Sequence, residues 1–409
     1  MKGAINMKKA ITMMIQMFLL VTLMLSLSSG AYTPGRDYEV CGDFGYRVEN
    51  GKARLISYEA NEENVVVPAE VDGYPVIGLG INKPHTSGSM VFYKKDLVSV
   101  SLPDSIEFIG NGVFTECKNL SSITIPNGVN YIGENAFSYC ESLTSVTIPE
   151  SVNFIGNFAF GCCTSLATVD MRGGGRVGSS VFASCLSLTT VNIGENVTRF
   201  GMSAFDRCTS LVSIIIPENV KELSNSLFKR CSRLTTMIVC GPDTTIVEKD
   251  EPNPHISVLG STFYGVPNLR TIYAFKGTRI YPYALERAID FVPIAQVTLN
   301  GEKLKFDMPP IIQNDRVLVP LRAIFEALDA EVGWDDTTQM VTAAKDDLQL
   351  SLRIGEPRML LDDREITLDV SPQIVHDRTL VPVRAISEAL RANVEWDEET
   401  QTVIITTEN

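Results

Sequence analysis

A repeat of about 23 residues constrains this chain more than any other feature. Phenylalanines recur at intervals of 23, 23, 22, 23 and 23 residues, each with a cysteine three positions later and a leucine six positions later. These phenylalanines are Phe114, Phe137, Phe160, Phe182, Phe205 and Phe228. A fixed period in this range is typical of a solenoid, in which each turn buries its apolar side only against its neighbours. We therefore expect a stacked scaffold.

The repeat around Phe137 shows how one turn is built. Val146 and Ile148 alternate with polar residues in the period-two pattern of a half-buried strand. Pro149 follows, and because proline cannot donate a hydrogen bond to a strand ladder, it closes the strand. The Ala-Phe-x-x-Cys segment at 136–140 is apolar at i, i+1 and i+4, which predicts one helical turn on the outside.

The whole pattern, I-G-x-x-A-F-x-x-C-x-S-L-x-x-V-x-I-P, resembles the BspA-like leucine-rich repeats of bacterial surface proteins. Imperfect copies occur at Phe92 and Phe263. Residues 42–78 resemble the N-terminal cap of that family, and residues 281–289 resemble its closing helix. The resemblance covers about residues 40–294, and it implies an α/β leucine-rich-repeat solenoid that is rich in β-structure.

A different duplication, at an offset of 62 residues, begins after the solenoid pattern ends. Residues 315–328 match residues 377–390, and Trp334 matches Trp396. In each copy a proline starts a short helix with an apolar stripe, and a hairpin turns at the acidic Trp-Asp stretch. The residues resemble the module named after the N-terminal domain of copper amine oxidases, so we expect a small duplicated α+β domain.

The name of this module does not predict copper chemistry. A copper amine oxidase needs three histidine ligands and a modified tyrosine, whereas this chain has only the scattered His85, His255 and His376. The sequence also contains no HExxH or CxxC pair and no nucleophile with matched histidine and acid partners. We therefore expect a protein that is not an enzyme and that uses no cofactor and no metal.

Two sets of charged residues in the C-terminal region each allow a structural and a binding interpretation. Its paired acids, such as Asp335-Asp336, lack the D-x-D-x-D-G arrangement of a calcium loop, so solvated turns are favoured over a calcium site. Arg322 and Arg384 occupy equivalent helix positions and could hold an acidic ligand. Pairing with an acid of the same unit is the favoured alternative.

Two segments break the repeat period. Residues 171–176 contain three glycines between two arginines, for which a local bend is favoured over an anion site. A polar insertion at 240–259 is expected to be a solvated loop, although insertions in repeat proteins often project from a functional face.

The distribution of charge and of apolar residues indicates export. The formal net charge is −14, and residues 295–409 contribute −11 from 11 basic and 22 acidic side chains, which disfavours binding to nucleic acid. A basic start and an apolar run at 11–27 precede the small residues Ser29 and Ala31. This pattern predicts a signal peptide cleaved after Ala31, with an uncleaved membrane anchor as the alternative.

Nine cysteines in an exported protein would ordinarily suggest disulfides. Six of them occupy the same slot of successive repeats, where neighbouring side chains point the same way into the core. Buried reduced cysteines are therefore favoured over bridges. The state of Cys41, Cys162 and Cys240 is left open.

The outward strand position before the final apolar residue gives the candidate contact surface. In the later repeats its residues are Asp170, Asn192, Ile215, Ile238 and Tyr273. The last three are large and apolar, and exposed apolar strips usually mark contact surfaces. The alternative is that the insertion or the C-terminal module covers this strip.

Export, the repeats and the known association of the resembled family with adhesion predict one function. We expect a secreted or wall-associated protein, not inserted in a membrane after cleavage, that presents its repeat surface to a protein or glycan partner. The alternative is a structural envelope component docked through the C-terminal module. The expected domains are 1–31, the signal peptide; 32–294, the capped solenoid; and 295–409, the duplicated module, with copies at 300–341 and 362–403.

Overall fold

The computed structural model describes residues 38–81, 90–246, 262–263, 265–362 and 364–407. The described residues form two compact units. The first unit takes its residues from Met1–Leu211, Glu222–Arg233 and Val247–Pro267, and the second takes its residues from Val212–Lys221, Leu234–Ile246 and Asn268–Asn409. The predicted signal peptide and positions 247–259 of the insertion at 240–259 lie outside the described residues.

Six strands form the N-terminal part of the first unit: β1 Glu39–Cys41, β2 Phe44–Glu49, β3 Lys52–Tyr58, β4 Asn64–Val66, β5 Glu70–Val71 and β6 Tyr74–Leu79. Strands β1, β2 and β3 pair antiparallel, and β3 then pairs parallel with β6. The β2–β3 and β5–β6 hairpins turn at Asn50-Gly51 and Asp72-Gly73, and all four residues have positive φ. These dipeptides suit type I′ turns, which need that conformation at both central positions. This sheet covers the first repeat at the position expected for a cap.

The repeats contribute short strands of two to four residues each. They are β7 Ser99–Ser101, β8 Phe108–Ile109, β9 Ser122–Ile123, β10 Tyr131–Ile132, β11 Ser145–Ile148, β12 Phe154–Ile155, β13 Thr168–Met171, β14 Arg176–Val177, β15 Thr190–Ile193, β16 Arg199–Phe200, β17 Ser213–Ile216, β18 Glu222–Leu223, β19 Thr236–Val239, β20 Thr245–Ile246, β21 Thr271–Ala274 and β22 Asp290–Pro293. Strands β17 and β19 to β22 belong to the second unit, and the others belong to the first.

Strands of the first unit stack in two parallel rows. In one row, β6, β8, β10, β12, β14 and β16 pair in sequence; in the other, β4, β7 and β9 form one ladder and β11, β13 and β15 form another. Equivalent apolar residues lie side by side, as Val146, Val169 and Val191 do in the last ladder. One strand per repeat therefore enters each row in register, which explains the constant spacing of the sequence pattern.

The repeated phenylalanines form one column of stacked rings in the first unit. Neighbouring ring centroids from Phe92 to Phe228 are between 5.0 and 5.6 Å apart, and Phe263 continues the column at 5.9 Å. Each repeated cysteine is buried beside this column. Its thiol donates a hydrogen bond to the carbonyl oxygen of the phenylalanine one repeat earlier, with Sγ to O distances of 2.9 to 3.3 Å. The thiol therefore links neighbouring repeats by a hydrogen bond in addition to packing in the core.

The segment around each stacked phenylalanine is not the helical turn that its apolar spacing predicted. In the repeat of Phe137 it consists of tight turns, because Asn135 and Tyr139 have φ values of 56° and 60°. An α-helix needs negative φ at every residue. The alternating conformation lets the backbone N–H of Phe137 donate to the Ala159 carbonyl of the next repeat at 2.7 Å. Inter-repeat hydrogen bonds therefore replace those of a helix.

Glycines allow the shortened repeat at 171–176 to pack directly on its predecessor. A Cβ on Gly173 would lie 2.1 Å from the Pro149 carbonyl oxygen, and one on Gly175 would lie 2.4 Å from the Asn153 carbonyl oxygen. Gly175 also has a φ of 43°, which disfavours other residues. This geometry supports the local bend predicted for the segment.

The second unit contains the last repeats and the C-terminal region. Strands β17, β19, β21 and β22 pair in parallel, and helix α1, Ile280–Glu286, precedes β22 where a closing helix was expected. The remaining strands and helices are β23 Gln296–Leu299, β24 Glu302–Lys303, β25 Ile311–Gln313, β26 Arg316–Pro320, α2 Leu321–Ala327, β27 Glu331–Asp335, β28 Met340–Lys345, β29 Leu348–Arg353, β30 Arg358–Leu361, β31 Arg364–Thr367, β32 Gln373–Val375, β33 Arg378–Pro382, α3 Val383–Ala389, β34 Ala392–Asp397 and β35 Thr402–Thr407.

Three sheets surround the core of the C-terminal region, with strand orders β24-β23-β35-β34, β25-β26-β33-β32 and β27-β28-β29-β30-β31. Helices α2 and α3 bury Phe325 and Ile386 in that core. Strands β26 and β33 pair antiparallel with Val319 opposite Val381, the residue 62 positions later. Among the described residues of the repeats, the first helix is α1 at their C-terminal end, so the solenoid is a β-rich stack of roughly 23-residue repeats.

Candidate functional site

A polar face covers three neighbouring strands of the first unit. We define it by the six outward residues of β11, β13 and β15: Ser145, Thr147, Thr168, Asp170, Thr190 and Asn192. The register places Thr147, Asp170 and Asn192 in one row and the other three in a second row. All are exposed except the half-buried Asp170. Two predicted contact residues, Asp170 and Asn192, therefore lie side by side with hydroxyl and amide groups.

A cavity of about 640 Å³ borders this face, where β9 and β11 belong to separate ladders. Its polar lining residues are Ser122, Thr124, Asn127, Ser145, Thr147, Glu150, Ser151 and Arg172. Arg172 comes from the glycine-containing segment, and its Nε donates to Asp170 Oδ2 at 2.9 Å. The arginine side chain is 62% exposed. The cavity thus offers hydroxyl groups, a carboxylate and a guanidinium to a ligand.

Sequence reasoning did not identify the cavity. Repeat spacing predicts uninterrupted stacking, whereas β9 and β11 belong to separate ladders. Strand β9 ends at Ile123, the position equivalent to Val146, whereas β11 continues to Ile148. The available signal was Arg172, which follows Asp170 by two positions and therefore lies on the same side of an extended segment.

The predicted apolar strip of the second unit is largely buried. Ile215, Ile238 and Tyr273 are aligned on β17, β19 and β21 as the repeat predicts. Ile215 is 38% exposed, but Ile238 and Tyr273 are only 3% and 8% exposed. The partner-binding prediction requires exposed side chains. Ile215 meets this requirement, whereas Ile238 and Tyr273 do not.

The cover over Ile238 and Tyr273 comes from the C-terminal region of the same unit. Both belong to an apolar cluster whose C-terminal members are Met308, Ile311, Leu318, Val370 and Leu380. The Tyr273 ring also contacts the His376 ring edge-on at 5.4 Å between centroids. This packing matches the alternative in which the C-terminal module covers the strip, and removal of two apolar surfaces from water is its physical cause.

In each of the two Trp-Asp turns, the aspartate that follows the tryptophan accepts hydrogen bonds from backbone N–H groups of the same turn. Asp335 Oδ1 accepts from the backbone N–H of Thr337 at 2.8 Å, and Asp397 Oδ1 accepts from that of Glu399 at 2.9 Å. Hydrogen bonds from the hydroxyl and backbone N–H of Thr338 and the backbone N–H of Thr337 lower the pKa of Asp335. Within the described ranges, no group of three or more His, Cys, Asp or Glu residues could hold a metal ion.

The two equivalent arginines of helices α2 and α3 differ in their contacts. Arg384 Nε lies 4.0 Å from Glu388 Oε1 on the same helix. Arg322 is exposed, and no ion pair of Arg322 is found in the part of the chain that the structure describes. The predicted pairing with an acid of the same unit is therefore seen at Arg384.

All nine cysteines are free thiols. Burial raises the pKa of Cys117, Cys163 and Cys240 to about 12, so these groups stay protonated at neutral pH. Burial, followed by the nearby charge of Asp72, raises the pKa of the half-buried Cys41. Thiols in this state are poor nucleophiles, because the thiolate is the reactive form.

Stacked parallel strands with an inward ladder of phenylalanine and cysteine define a leucine-rich-repeat solenoid. The family model of the BspA type leucine rich repeat region matches six copies over residues 85–176 and 174–288. The model of the copper amine oxidase N-terminal domain matches residues 298–405. The chain is therefore a BspA-type leucine-rich-repeat protein with a C-terminal copper amine oxidase N-terminal-like domain. This repeat family is generally non-catalytic and suggests a role in binding or adhesion.

Solved leucine-rich-repeat structures resemble parts of the chain. A leucine rich repeat protein of T. pallidum is 25% identical with a TM-score of 0.34, over 44% of this chain and 90% of that one. A leucine rich cell surface protein of Faecalibacterium prausnitzii A2-165 is 20% identical with a TM-score of 0.30, over 64% of this chain and 95% of that one.

A curated relative named "Protease inhibitor", from Brevibacillus choshinensis, is 27% identical over 114 residues. The match takes in 27% of this chain and 35% of that protein, so the chain covers about a third of the relative's length. Among the residues that the structure describes, no helix has the length and apolar character needed to span a membrane.

Proposed function

We propose that this protein is an exported, non-catalytic binding protein that holds a protein or glycan partner on the polar face of its first unit. The proposal includes removal of residues 1–31 on export, which the intact mass of the protein from its native host would reveal. The polar face and the adjoining cavity form the contact surface, and the inward residues of the same strands, Val146, Val169 and Val191, are buried.

One observation carries the proposal: the outward side chains of three neighbouring strands are polar, mostly exposed and aligned in two rows. Aligned strands hold hydrogen-bonding groups at fixed spacings of about 4.8 Å. A rigid surface loses little conformational entropy when a partner binds. Hydroxyl, amide and carboxylate groups recognise polar partners by hydrogen bonds, and Arg172 adds a planar donor at the cavity edge.

The strip at Ile215, Ile238 and Tyr273 contributes less to this proposal than the sequence suggested. Only Ile215 remains exposed enough to touch a partner. Asp170 and Asn192 are retained as proposed contact residues, and Thr147 joins them because it completes their row.

The test is saturable binding of the purified full-length mature chain to a panel of matrix proteins and cell-wall glycans. We expect at least one partner to bind saturably and to be competed by its own soluble form. Absence of saturable binding to the whole panel and to intact cells would contradict the proposal and would favour a structural envelope component.

We also infer that the C-terminal region is an internal duplication with a boundary near residue 295. The repeated order of strand, strand, helix and hairpin, and the pairing of Val319 with its counterpart Val381, support this inference. Hydrogen exchange that showed one cooperative opening unit from Val212 onward would instead favour a boundary within the repeats.

A further inference from the structure

Each of the two tryptophans of the chain lies in a cleft of the second unit. The first cleft has a volume of about 590 Å³. Its lining includes Trp334, Leu321, Arg322, Glu326 and Asp377. Trp334 is 45% exposed. A large, half-exposed aromatic ring inside a cavity is a common element of binding sites, because it supplies apolar contact area at low entropic cost.

The second cleft, of about 210 Å³, repeats this construction around Trp396. Its lining includes Val383 and Arg384, which are equivalent to Leu321 and Arg322 of the first cleft. It also includes Asp315, which is equivalent to Asp377. Each cleft therefore combines the helix and hairpin of one copy with the Asp-Arg pair of the other. The two copies thus place several equivalent side chains around both clefts.

In each cleft, the arginine contributed by the other copy forms an ion pair. Arg378, in the first cleft, pairs with Asp307, and Arg316, in the second, donates from Nε to Asp369 Oδ2 at 2.5 Å. Asp307 and Asp369 are themselves 62 positions apart. Equivalent ion pairs are thus present at both clefts.

The indole N–H of each tryptophan donates a hydrogen bond within its own turn. Trp334 Nε1 donates to Asp336 Oδ1 at 2.5 Å, and Trp396 Nε1 donates to Glu398 Oε2 at 2.6 Å. Because each N–H already has an acceptor two residues later, ligand hydroxyls must find their partners among the other polar groups of the cleft.

Both donors and acceptors surround the first ring. Arg322 and Arg378 donate only, whereas the carboxylates of Asp307, Glu326 and Asp377 accept. A hexopyranose matches this set, since one face of its ring carries C–H groups that can lie on an indole and its hydroxyls both donate and accept. A polyanion matches it poorly, because residues 295–409 carry a net charge of −11 from 11 basic and 22 acidic side chains.

We propose that the C-terminal region binds neutral hexopyranose chains, with Trp334 as the main stacking platform and Trp396 as a second, narrower one. Two equivalent sites on one domain suit a polymer of repeating sugars, because the second contact becomes intramolecular once the first has formed. This site is separate from the polar face, so either proposal can fail without the other.

The two clefts can be observed directly, since the chain contains two tryptophans and both lie in them. Full-length protein with Trp396→Phe reports on Trp334 alone by intrinsic fluorescence, and Trp334→Phe reports on Trp396 alone. Each would be titrated with cellohexaose and with the N-acetylglucosamine hexasaccharide. Polygalacturonate and a proline decapeptide serve as the anionic and peptide alternatives.

We expect a saturable emission change of Trp334 with at least one of the two neutral hexasaccharides. In calorimetry, Trp334→Ala should weaken that binding by about tenfold or more. The matched control is Ile374→Ala, which removes a 57% exposed apolar side chain outside both clefts and should leave the affinity unchanged. Thermal melts of all variants establish that they are folded.

The proposal is overturned if neither neutral hexasaccharide changes the emission saturably, or if only polygalacturonate or the proline peptide does. It is also overturned if folded Trp334→Ala binds as tightly as Ile374→Ala.

Discussion

Phe160 shows at the scale of one residue how the repeat stabilises itself. Its ring lies 5.0 Å from that of Phe137 and 5.6 Å from that of Phe182, and it is fully buried. Phe160→Ala should therefore open a cavity in the column and lower the free energy of unfolding by about 3 to 5 kcal/mol. Denaturant titration measures the loss. Ser145→Ala, on the exposed side of β11, should change it by less than about 0.5 kcal/mol, and equal losses would show that the register is wrong.

Cys163 gives a pH-dependent prediction at the same scale. Burial raises the pKa of its thiol from 9.0 to about 12, so the folded state binds more protons than the unfolded state between these values. The contribution of this thiol to stability is fully present below pH 9 and is lost as the pH rises towards 12.

The measurement is the difference in free energy of unfolding between the natural protein and Cys163→Ala, from denaturant titrations at several pH values. We expect this difference to shrink as the pH rises from about 9 to 12. A constant difference over this range would show that the thiol is not buried as described.

Ile215 and Ile238 are a matched pair at the scale of the strand. They occupy the same position on neighbouring strands, yet Ile215 is 38% exposed and Ile238 is 3% exposed. Ile238→Asp places a charge among apolar side chains and should cost roughly 3 to 5 kcal/mol, whereas Ile215→Asp should cost about 1 kcal/mol or less. Thermal melts of the two variants compare them directly, and similar melting temperatures would contradict the packing of the C-terminal region over this strip.

The same strands show what the sequence could and could not predict. Spacing placed Thr147, Asp170 and Asn192 on the outward side of the first unit, because a period of two in a strand and one strand per repeat determine both side and register. It could not predict that Ile238 is covered, since burial there depends on residues more than 65 positions later, such as Met308.

The helical turn expected at 136–140 is absent because the neighbouring repeat decides the backbone conformation there. Apolar spacing at i, i+1 and i+4 is compatible both with a helix and with successive turns, and backbone conformation decides between them. Asn135 and Tyr139 adopt the left-handed conformation because it directs N–H groups towards the next repeat, where they find acceptors. Only the neighbouring repeat supplies that energy, so no single repeat encodes it.

At the scale of the whole molecule, a buried scaffold supports the outward surfaces. Buried phenylalanines and thiols stabilise the repeats, and we propose two outward regions for recognition: the polar face of the first unit and the tryptophan clefts of the second. Neither region contains a nucleophile with matched base and acid partners among the described residues that line them. The repeat family likewise suggests a binding role.

The most direct test of this account measures binding of full-length protein carrying both Thr147→Arg and Asn192→Arg to the partner found for the natural protein. The control carries Asn130→Arg and Asn153→Arg, two exposed positions that precede the other strand row. We predict that the polar-face variant loses binding by about tenfold or more while its melting temperature and that of the control stay unchanged. Full binding by the folded polar-face variant, or equal loss in the control, would contradict the polar face as the contact surface.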